Sequence, residues 1–113
     1  MAENGDVFWK GIDTDGIECR IDESQWYSHV VKRPEIEDAL ELTKSAMVSA
    51  RNVEVDRNRA NNGGRYFRLL RVPGLGLWLR HVLVVSVKYV RQHDGRWVKF
   101  YQSCWYEHRK EDV

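Results

Sequence analysis

The clearest pattern of apolar and polar positions along this chain lies in its last third. Residues 77–90 contain a nearly continuous apolar run at 82–85. In residues 96–105, alternate positions form two sets, one with Trp97, Tyr101 and Trp105 and the other with Val98, Phe100 and Cys104. Asp94 and Gly95 stand between the two segments, and an Asp-Gly pair flanked by strand-like runs is a strong hairpin signal. The pattern therefore predicts a long β-hairpin, whose first strand is covered on both faces for part of its length.

The second strand of this hairpin, residues 96–105, is expected to place alternate side chains on opposite faces of the sheet. One face is predicted to carry Trp97, Lys99, Tyr101, Ser103 and Trp105. Two interpretations of this face are open. In the first, the rings form an aromatic ladder in the core and the lysine extends between them. In the second, the face is half of an active site.

The first half of the chain predicts a small hairpin followed by helices. Two strand-like runs around a turn that ends in glycine predict a β-hairpin over residues 6–21. A short helical segment over 24–31 follows, with Ser24 as its cap. Pro34 suits the first turn of the main helix, and an apolar stripe at steps of three and four extends that helix to about residue 50.

The remaining segments complete a sheet. Alternating apolar positions predict strands over 53–56 and 65–72, separated by an Asn-Asn-Gly-Gly turn at 61–64. With the C-terminal hairpin they form a four-stranded antiparallel meander. The predicted fold class is α+β: one domain over residues 1–113, in which the N-terminal hairpin and the helices pack on this four-stranded antiparallel sheet. The charged tail, residues 107–113, is expected to fray.

Composition indicates an ordinary globular chain. It has 113 residues, of which 42% are hydrophobic and 31% charged, which suits one domain with its own core. No apolar run approaches the roughly 20 residues of a membrane helix, and the start shows no secretory signal. The chain is therefore expected to be cytoplasmic and to bind no membrane, with Cys19 and Cys104 reduced.

Charge is unevenly distributed, although the net charge is only +1. Among the charged residues of the first 24 positions, seven are acidic and two are basic, whereas residues 51–71 are rich in arginine. The arginine-rich segment suits either a solvated hairpin face or a nucleic-acid contact. For a contact with RNA, the predicted binding residues are Arg65, Tyr66, Arg68 and Arg71, because rings stack on bases while cations hold phosphates. Five tryptophans exceed the needs of one core, so a protein partner bound through exposed tryptophans is the alternative.

No motif indicates a metal or a cofactor. The four histidines, His29, His81, His93 and His108, have no partner at the sequence spacing of a metal site. Gly74 and Gly76 precede a strand-like run and not the helix that a phosphate-binding loop requires. Neither a metal ion nor a cofactor is therefore expected.

Acid–base chemistry that needs no metal remains. His29 lies just before Lys32 and Arg33, and neighbouring cations favour a neutral imidazole that can act as a base near pH 7. If His29 faces Lys99 and Tyr101, the set matches what a metal-independent ribonuclease needs: a base, an acid and cations for the charge of the phosphorane. The alternative is a half-buried histidine that packs under the helix.

Several short motifs, taken together, resemble one group of nucleases. They are Trp26-x-x-His29-Val30, Arg33-Pro34-Glu35-Ile36, Arg65-Tyr66-Phe67-Arg68 and Asp94-Gly95, with an aromatic residue at the end of the last strand. Over residues 26–105 this order resembles the phage-type Barnase–EndoU–colicin–RelE-like nuclease families. The resemblance implies N-terminal helices on a four-stranded antiparallel sheet, and a metal-independent endoribonuclease or toxin-like RNA-cleaving domain from a phage or mobile element.

The resemblance also suggests roles for single residues. By position, His29 and Arg33 match the helix motif of those families, and Arg68 matches their basic strand. The chain departs from them at Lys99, which stands where a hydroxyl-bearing residue is usual, and at Arg33, where a second histidine is common. The N-terminal hairpin over 6–21 lies outside the resemblance.

Two hypotheses follow. The first is an RNA-cleaving domain with His29 as base or acid and Tyr101 for positioning or stacking. In it the phosphate is bound by Arg33, Arg68 and Lys99. The second is a non-catalytic interaction module of the same fold, which binds protein or nucleic acid. Removal of the His29 imidazole separates the two, because it should abolish cleavage and leave binding intact.

Overall fold

The computed structural model describes residues 7–49, 52–56 and 65–108. Its elements in chain order are β1 (Val7–Ile12), β2 (Glu18–Asp22), α1 (Glu23–Lys32), a 3-10 helix (Pro34–Ala39), α2 (Leu40–Ser49), β3 (Asn52–Val55), β4 (Arg65–Pro73), a 3-10 turn (Gly76–Trp78), β5 (His81–Arg91) and β6 (Trp97–His108). The strands form one sheet in the order β1-β2-β6-β5-β4-β3. The fold class is therefore α+β, as expected.

The long C-terminal hairpin is confirmed. β5 and β6 pair in antiparallel from His81, opposite His108, to Arg91, opposite Trp97. The turn between them uses Gly95 at a φ of +90°, a conformation that residues with a side chain rarely adopt. β4 and β3 continue the antiparallel order beyond β5, so the predicted meander is also present.

The N-terminal hairpin corrects the predicted architecture. β1 and β2 do form a hairpin, but β2 also pairs in parallel with β6, where Cys19 lies opposite Lys99. The sheet therefore has six strands and is mixed, whereas the prediction was four antiparallel strands. Pairing with β2 satisfies backbone groups of β6 that would otherwise stand at an open edge of the sheet. Alternation along a strand does not reveal its partner, so the pattern could not predict this pairing.

The connection between β4 and β5 is tighter than predicted. The apolar run predicts a strand from residue 77, whereas β5 begins at His81, because Gly76–Trp78 form a 3-10 turn. Gly74 permits this turn, since a Cβ at this position would lie 2.1 Å from the backbone oxygen of Trp78. A run of apolar residues thus includes a turn that only backbone geometry reveals.

Two predicted features reach the limits of the described residues. The turn predicted at 61–64 lies outside them. The tail expected to fray over 107–113 begins inside β6, which runs to His108, so its first two residues belong to a strand. The remaining residues of that tail, 109–113, lie outside the described part of the chain.

A bulge decides which side chains of β6 share a face. Consecutive residues of β5 pair with Ser103 and Tyr101, so Gln102 is an extra residue on β6. The alternation of faces reverses there, and Cys104 joins Tyr101 in the core beneath the helices. The predicted single face is therefore wrong beyond Tyr101, and Trp105 does not belong to an aromatic ladder with it.

The helices lie where they were predicted but differ in detail. α1 covers the predicted segment 24–31, with Asp22 and not Ser24 at the N-cap position. The second helical segment starts at Pro34, as expected, but its first turns are a 3-10 helix that continues into α2. Its apolar stripe is buried, with Met47 fully inaccessible to solvent. None of the described helices has the length and apolarity needed to cross a bilayer.

The main core lies between these helices and one face of the sheet. Its fully buried members include Ile21, Ile36, Met47, Leu70, Leu83, Val85 and Val87. No described helix packs on the opposite face, which we call the uncovered face. Val84 is still fully buried on that face, because Arg71 and Trp105 lie directly beside it on the neighbouring strands.

Candidate nucleic-acid interface

The strand register brings four side chains into a line across the uncovered face. Arg20 of β2 lies opposite Phe100 of β6, which lies opposite Lys88 of β5. Lys88 in turn lies opposite Phe67 of β4. Directly opposite residues project from the same face of a sheet, so cations and rings alternate across four strands. The Arg20 guanidinium lies 5.7 Å from the centre of the Phe100 ring. We call these four residues the cation–aromatic row.

A cavity of about 410 Å³ adjoins the row. Phe100 and Lys88 line it from the row, and Arg65 of β4 adds a second cation. Asp22 and Gln25 line it from the end of β2 and the first turn of α1. Both its volume and its combination of a ring with convergent polar groups are typical of sites for small ligands or single nucleotides.

The bulge of β6 helps to shape this cavity. The side-chain amide of Gln25 donates a hydrogen bond of 2.6 Å to the backbone carbonyl of Gln102, the extra residue of the bulge. Gln25, Gln102 and Tyr101 all line the cavity. The first turn of α1 is therefore held against the middle of β6, and the wall of the cavity is built from segments 77 residues apart in sequence.

Charge separates the uncovered face into two parts. Arg71 is paired with Glu54 at 2.9 Å and with Glu107 at 2.6 Å. The hydrogen bond to Glu107 is the main reason why the pKa of Arg71 is raised. By contrast, neither Arg65 nor Lys88 forms an ion pair with any residue that the structure describes. Arg20, the other cation of the row, is paired with Glu18. Of the cations in the row and the cavity, Lys88 and Arg65 are therefore the two available to an anionic ligand.

The four nucleic-acid-binding residues predicted on β4 do not form one surface. Side chains alternate along the strand, so Arg65 and Arg71 lie on the uncovered face while Tyr66 and Arg68 lie on the other face. Arg68 stands 5.3 Å over the ring of Tyr89, on that second face. The prediction treated the cluster as one site because it considered sequence proximity without the pleat of the strand.

Two of the predicted catalytic residues come together. His29 Nδ1 lies 3.2 Å from the hydroxyl oxygen of Tyr101, and the two rings meet edge to face with centres 5.7 Å apart. The Tyr101 hydroxyl donates to the sulfur of Cys104 at 3.4 Å. Thr43 of α2 donates to the same sulfur at 3.9 Å. His29 is therefore the outer member of a polar chain that runs into the core.

Burial dominates the chemistry of this chain of contacts. Desolvation raises the pKa of Tyr101 far above its ordinary value, and it also raises the pKa of the Cys104 thiol. Tyr101 is only 4% exposed, so its ring cannot stack on a base and its hydroxyl stays protonated at all ordinary pH values. Tyr101 can position His29, but it cannot act as a base, and Cys104 has no character of a nucleophile.

The other two predicted catalytic residues lie in different surroundings. The Lys99 ammonium donates to a carboxylate oxygen of Asp13 at 2.7 Å and to the backbone carbonyl of Met47 at 2.8 Å. Because it is buried in these contacts, Lys99 does not meet a phosphate from solvent. Arg33 is exposed at the end of α1, where its backbone N–H donates to the carbonyl of His29. Of the predicted four, His29 and Tyr101 are in contact, and Arg33 is near enough for its charge to oppose the rise in the pKa of Tyr101. Lys99 is held apart from them by Asp13 and Met47.

Sequence reasoning missed the most informative residues of the interface. Lys88 and Phe100 could have been paired by counting outward along both strands from the Asp94-Gly95 turn. Arg20 gives no such signal, because its place beside Phe100 depends on the parallel pairing of β2 with β6. The cation–aromatic row is therefore only partly readable from local sequence.

Metal chemistry has no obvious place in this arrangement. Across residues 7–49, 52–56 and 65–108, no group of three or more histidine, cysteine, aspartate or glutamate side chains is arranged to hold a metal ion.

Comparison of the chain with protein-family models, curated proteins and solved structures finds no match. The resemblance to phage-type nucleases therefore rests on the short motifs alone.

Proposed function

We propose that this chain is an interaction module that binds single-stranded RNA on the uncovered face of its sheet. The observation that carries the proposal is the cation–aromatic row, in which Phe100 and Phe67 alternate with Arg20 and Lys88 beside a cavity lined by Arg65. Rings that stack on bases and cations that follow the phosphates are the two components of single-strand recognition.

The geometry of the row supports a single strand more than a duplex. Phe100 and Phe67 stand two strands apart, which is a separation of roughly 10 Å at the usual strand spacing. Their rings are half-buried on the face of a sheet, so each can stack only on a base that has left its own partner. Lys88 lies between them and is placed to meet the phosphate that joins two such bases.

An endoribonuclease of the toxin-like, metal-independent kind is the second candidate, favoured by one contact. Tyr101, which touches His29, also lines the cavity, and Gln25 lines it one helical turn before His29. In this candidate His29 is the base or acid for the 2′-hydroxyl or the leaving oxygen. The charge of the phosphorane is then met by Arg65 and Lys88, and not by the buried Lys99.

Binding of a fluorescently labelled single-stranded RNA, followed by anisotropy, tests the first proposal. We expect Phe100→Leu to weaken binding about 5- to 150-fold, since loss of stacking on one base costs roughly 1–3 kcal/mol. We expect Lys88→Gln to weaken binding and to reduce the salt dependence of the affinity by about one charge, because it removes one phosphate contact. Lys32→Gln, an exposed lysine on α1, is the matched control and should bind like the wild type.

Three results would contradict the RNA-binding proposal. If the wild-type chain binds no RNA, or if Phe100→Leu and Lys88→Gln bind as tightly as Lys32→Gln, the row is not an RNA interface. If Phe100→Leu weakened the binding of single-stranded and duplex RNA equally, this would contradict stacking of the ring on unpaired bases. Circular dichroism of each variant shows that a loss of binding is not a loss of fold.

A further inference from the structure

A second group of rings and guanidinium groups lies on the other face of the same sheet. Tyr66 of β4 lies opposite Tyr89 of β5, and Arg91 of β5 lies opposite Trp97 of β6. Arg68 projects from the same face, two residues after Tyr66. We call these five residues the helix-side cluster. No local sequence motif joins them, since they come from three strands.

The helices do not cover the part of the sheet on which the helix-side cluster lies. α2 ends at Ser49, and its last buried residue is Met47. The backbone carbonyl of Met47 accepts a hydrogen bond from the Lys99 ammonium. Lys99 is directly opposite Tyr89, so the cluster begins where the helix layer stops. Tyr66 is 42% exposed, and both guanidinium-bearing residues of the cluster are exposed as well.

The rings of the cluster form an ordered surface. The Tyr66 and Trp97 ring centres are 5.3 Å apart with the planes tilted by 59°. The Arg68 guanidinium stands 5.3 Å over the Tyr89 ring, and the Lys99 ammonium lies 5.5 Å from the same ring. Tyr89 also packs against the hydrophobic core, which supports the cluster from below.

Charge narrows the class of ligand that such a surface takes. Aromatic clusters that bind organic cations offer empty ring faces, but here Arg68 and Lys99 already occupy the ring of Tyr89. Neither Arg68 nor Arg91 forms an ion pair within the part of the chain that the structure describes. The exposed ring of Tyr66 beside the Arg68 guanidinium suits a ligand that is both aromatic and anionic.

We infer that the helix-side cluster is a second nucleotide-binding site, separate from the cation–aromatic row. The base stacks on the exposed ring of Tyr66, which is in contact with the half-buried ring of Trp97, and the phosphate is held by Arg68, whose guanidinium stands over Tyr89 on the same face. The inference shares its ligand class with the proposed function, but it rests on different residues. Lys88 and Tyr89 are consecutive on β5, so the two sites lie back to back on opposite sides of one strand.

The two tryptophans of β6, Trp97 and Trp105, allow a direct test by nuclear magnetic resonance. The probe is adenosine 5′-monophosphate, added to ¹⁵N-labelled protein while the indole N–H signals are followed. We expect the Trp97 indole signal to move with saturation. The Trp105 indole N–H donates to Glu107 at 2.9 Å, away from the cluster, and should stay in place as an internal reference. Trp97→Phe assigns the moving signal.

Variants then identify the groups that hold the nucleotide. We expect Tyr66→Leu and Arg68→Gln each to raise the dissociation constant at this site about 5- to 100-fold, the range that stacking and charge-assisted contacts give. Tyr27→Leu and Arg80→Gln remove an exposed ring and an exposed arginine elsewhere and should bind like the wild type. Adenosine without its phosphate should bind more weakly than the monophosphate.

Separate outcomes distinguish this inference from the proposed function. Lys88→Gln and Phe100→Leu should leave the Trp97 titration unchanged, because they act on the opposite face. If the Trp97 signal does not move on addition of the nucleotide, or moves equally in the wild type and in Tyr66→Leu, the second site is refuted. This conclusion does not depend on whether the cation–aromatic row binds RNA. If adenosine binds as tightly as the monophosphate, the role given to Arg68 is wrong and the cluster is not a nucleotide site.

Discussion

The Lys99 ammonium lies 2.7 Å from a carboxylate oxygen of Asp13, and the two side chains are 6% and 5% exposed. The other oxygen of Asp13 accepts the backbone N–H groups of Asp15 and Ile17, which closes the turn between β1 and β2. Lys99 also donates to the carbonyl of Met47 near the end of α2. One buried ion pair therefore joins the N-terminal hairpin, the second helix and the last strand, and it gives Lys99 a structural role.

Asp13→Asn is expected to be strongly destabilising. The substitution leaves the Lys99 ammonium buried without a counter-charge, and loss of one partner of a buried pair costs about 3–5 kcal/mol. Urea unfolding followed by tryptophan fluorescence measures the change. The double variant Asp13→Asn with Lys99→Met should recover part of the loss, because no uncompensated charge remains. Asp15→Asn, at an exposed neighbouring position, is the control and should change little.

The same pair predicts how stability depends on acid. Burial acts to raise the pKa of Asp13, but the hydrogen bond from Lys99 and those from the turn outweigh it, and the pKa lies below its ordinary 3.8. The group therefore contributes stability that is present above about pH 4 and is lost as the pH falls through the lowered pKa. We expect the free energy of unfolding to fall more steeply below pH 4 in the wild type than in Asp13→Asn. An equal dependence of the unfolding free energy on pH in the two proteins would show that Asp13 is not the group responsible.

The two arginines on the uncovered face of β4 should separate binding from stability. Arg65→Gln removes an unpaired cation at the cavity, so we expect weaker RNA binding and a salt slope smaller by about 0.7. Arg71→Gln breaks contacts with Glu54 and Glu107, so we expect a loss of about 1 kcal/mol in stability and unchanged RNA affinity. Anisotropy and urea unfolding on both variants check this. If Arg71→Gln weakened RNA binding and Arg65→Gln left it unchanged, the RNA would lie at the Arg71 end of the uncovered face.

His29→Ala distinguishes the two candidate functions. For the endoribonuclease, we expect the wild type to cleave a labelled single-stranded RNA and His29→Ala to lose about 100-fold or more of the rate, the usual effect of removing a general acid or base. RNA affinity should change little, because the groups proposed to hold the RNA are Phe100, Lys88 and Arg65, and not His29. His93→Ala, in the hairpin turn, is the matched control. A wild-type chain that binds RNA and leaves it intact supports the interaction module.

Gly74→Ala tests the tight connection between β4 and β5. The added methyl group would lie 2.1 Å from the backbone oxygen of Trp78 and 2.8 Å from that of His81, and neither can move without distorting the turn. We expect a loss of about 1–3 kcal/mol in the free energy of unfolding, as for overpacked sites in general. Leu77→Ala lies in the same turn at 98% exposure and should change stability by less than about 0.5 kcal/mol.

Local sequence determined the elements of this protein. The Asp94-Gly95 turn and the apolar run before it predicted the long hairpin, and the stripe after Pro34 predicted the second helical segment. Hydrophobic periodicity and turn chemistry act over a few residues, so one chain segment contains the whole signal. The same reasoning yielded the α+β class and the antiparallel order of β3 to β6.

Tertiary structure alone decided which side chains meet. The parallel pairing of β2 with β6 placed Arg20 beside Phe100, and the extra residue Gln102 turned Trp105 away from Tyr101. The burial of Lys99 depended on Asp13, which lies 86 positions earlier in the chain. Strand pairing, bulges and buried ion pairs arise from contacts between distant segments, and no spacing within a segment encodes them. For this reason the sequence predicted the strands of the site but not the faces on which their residues act.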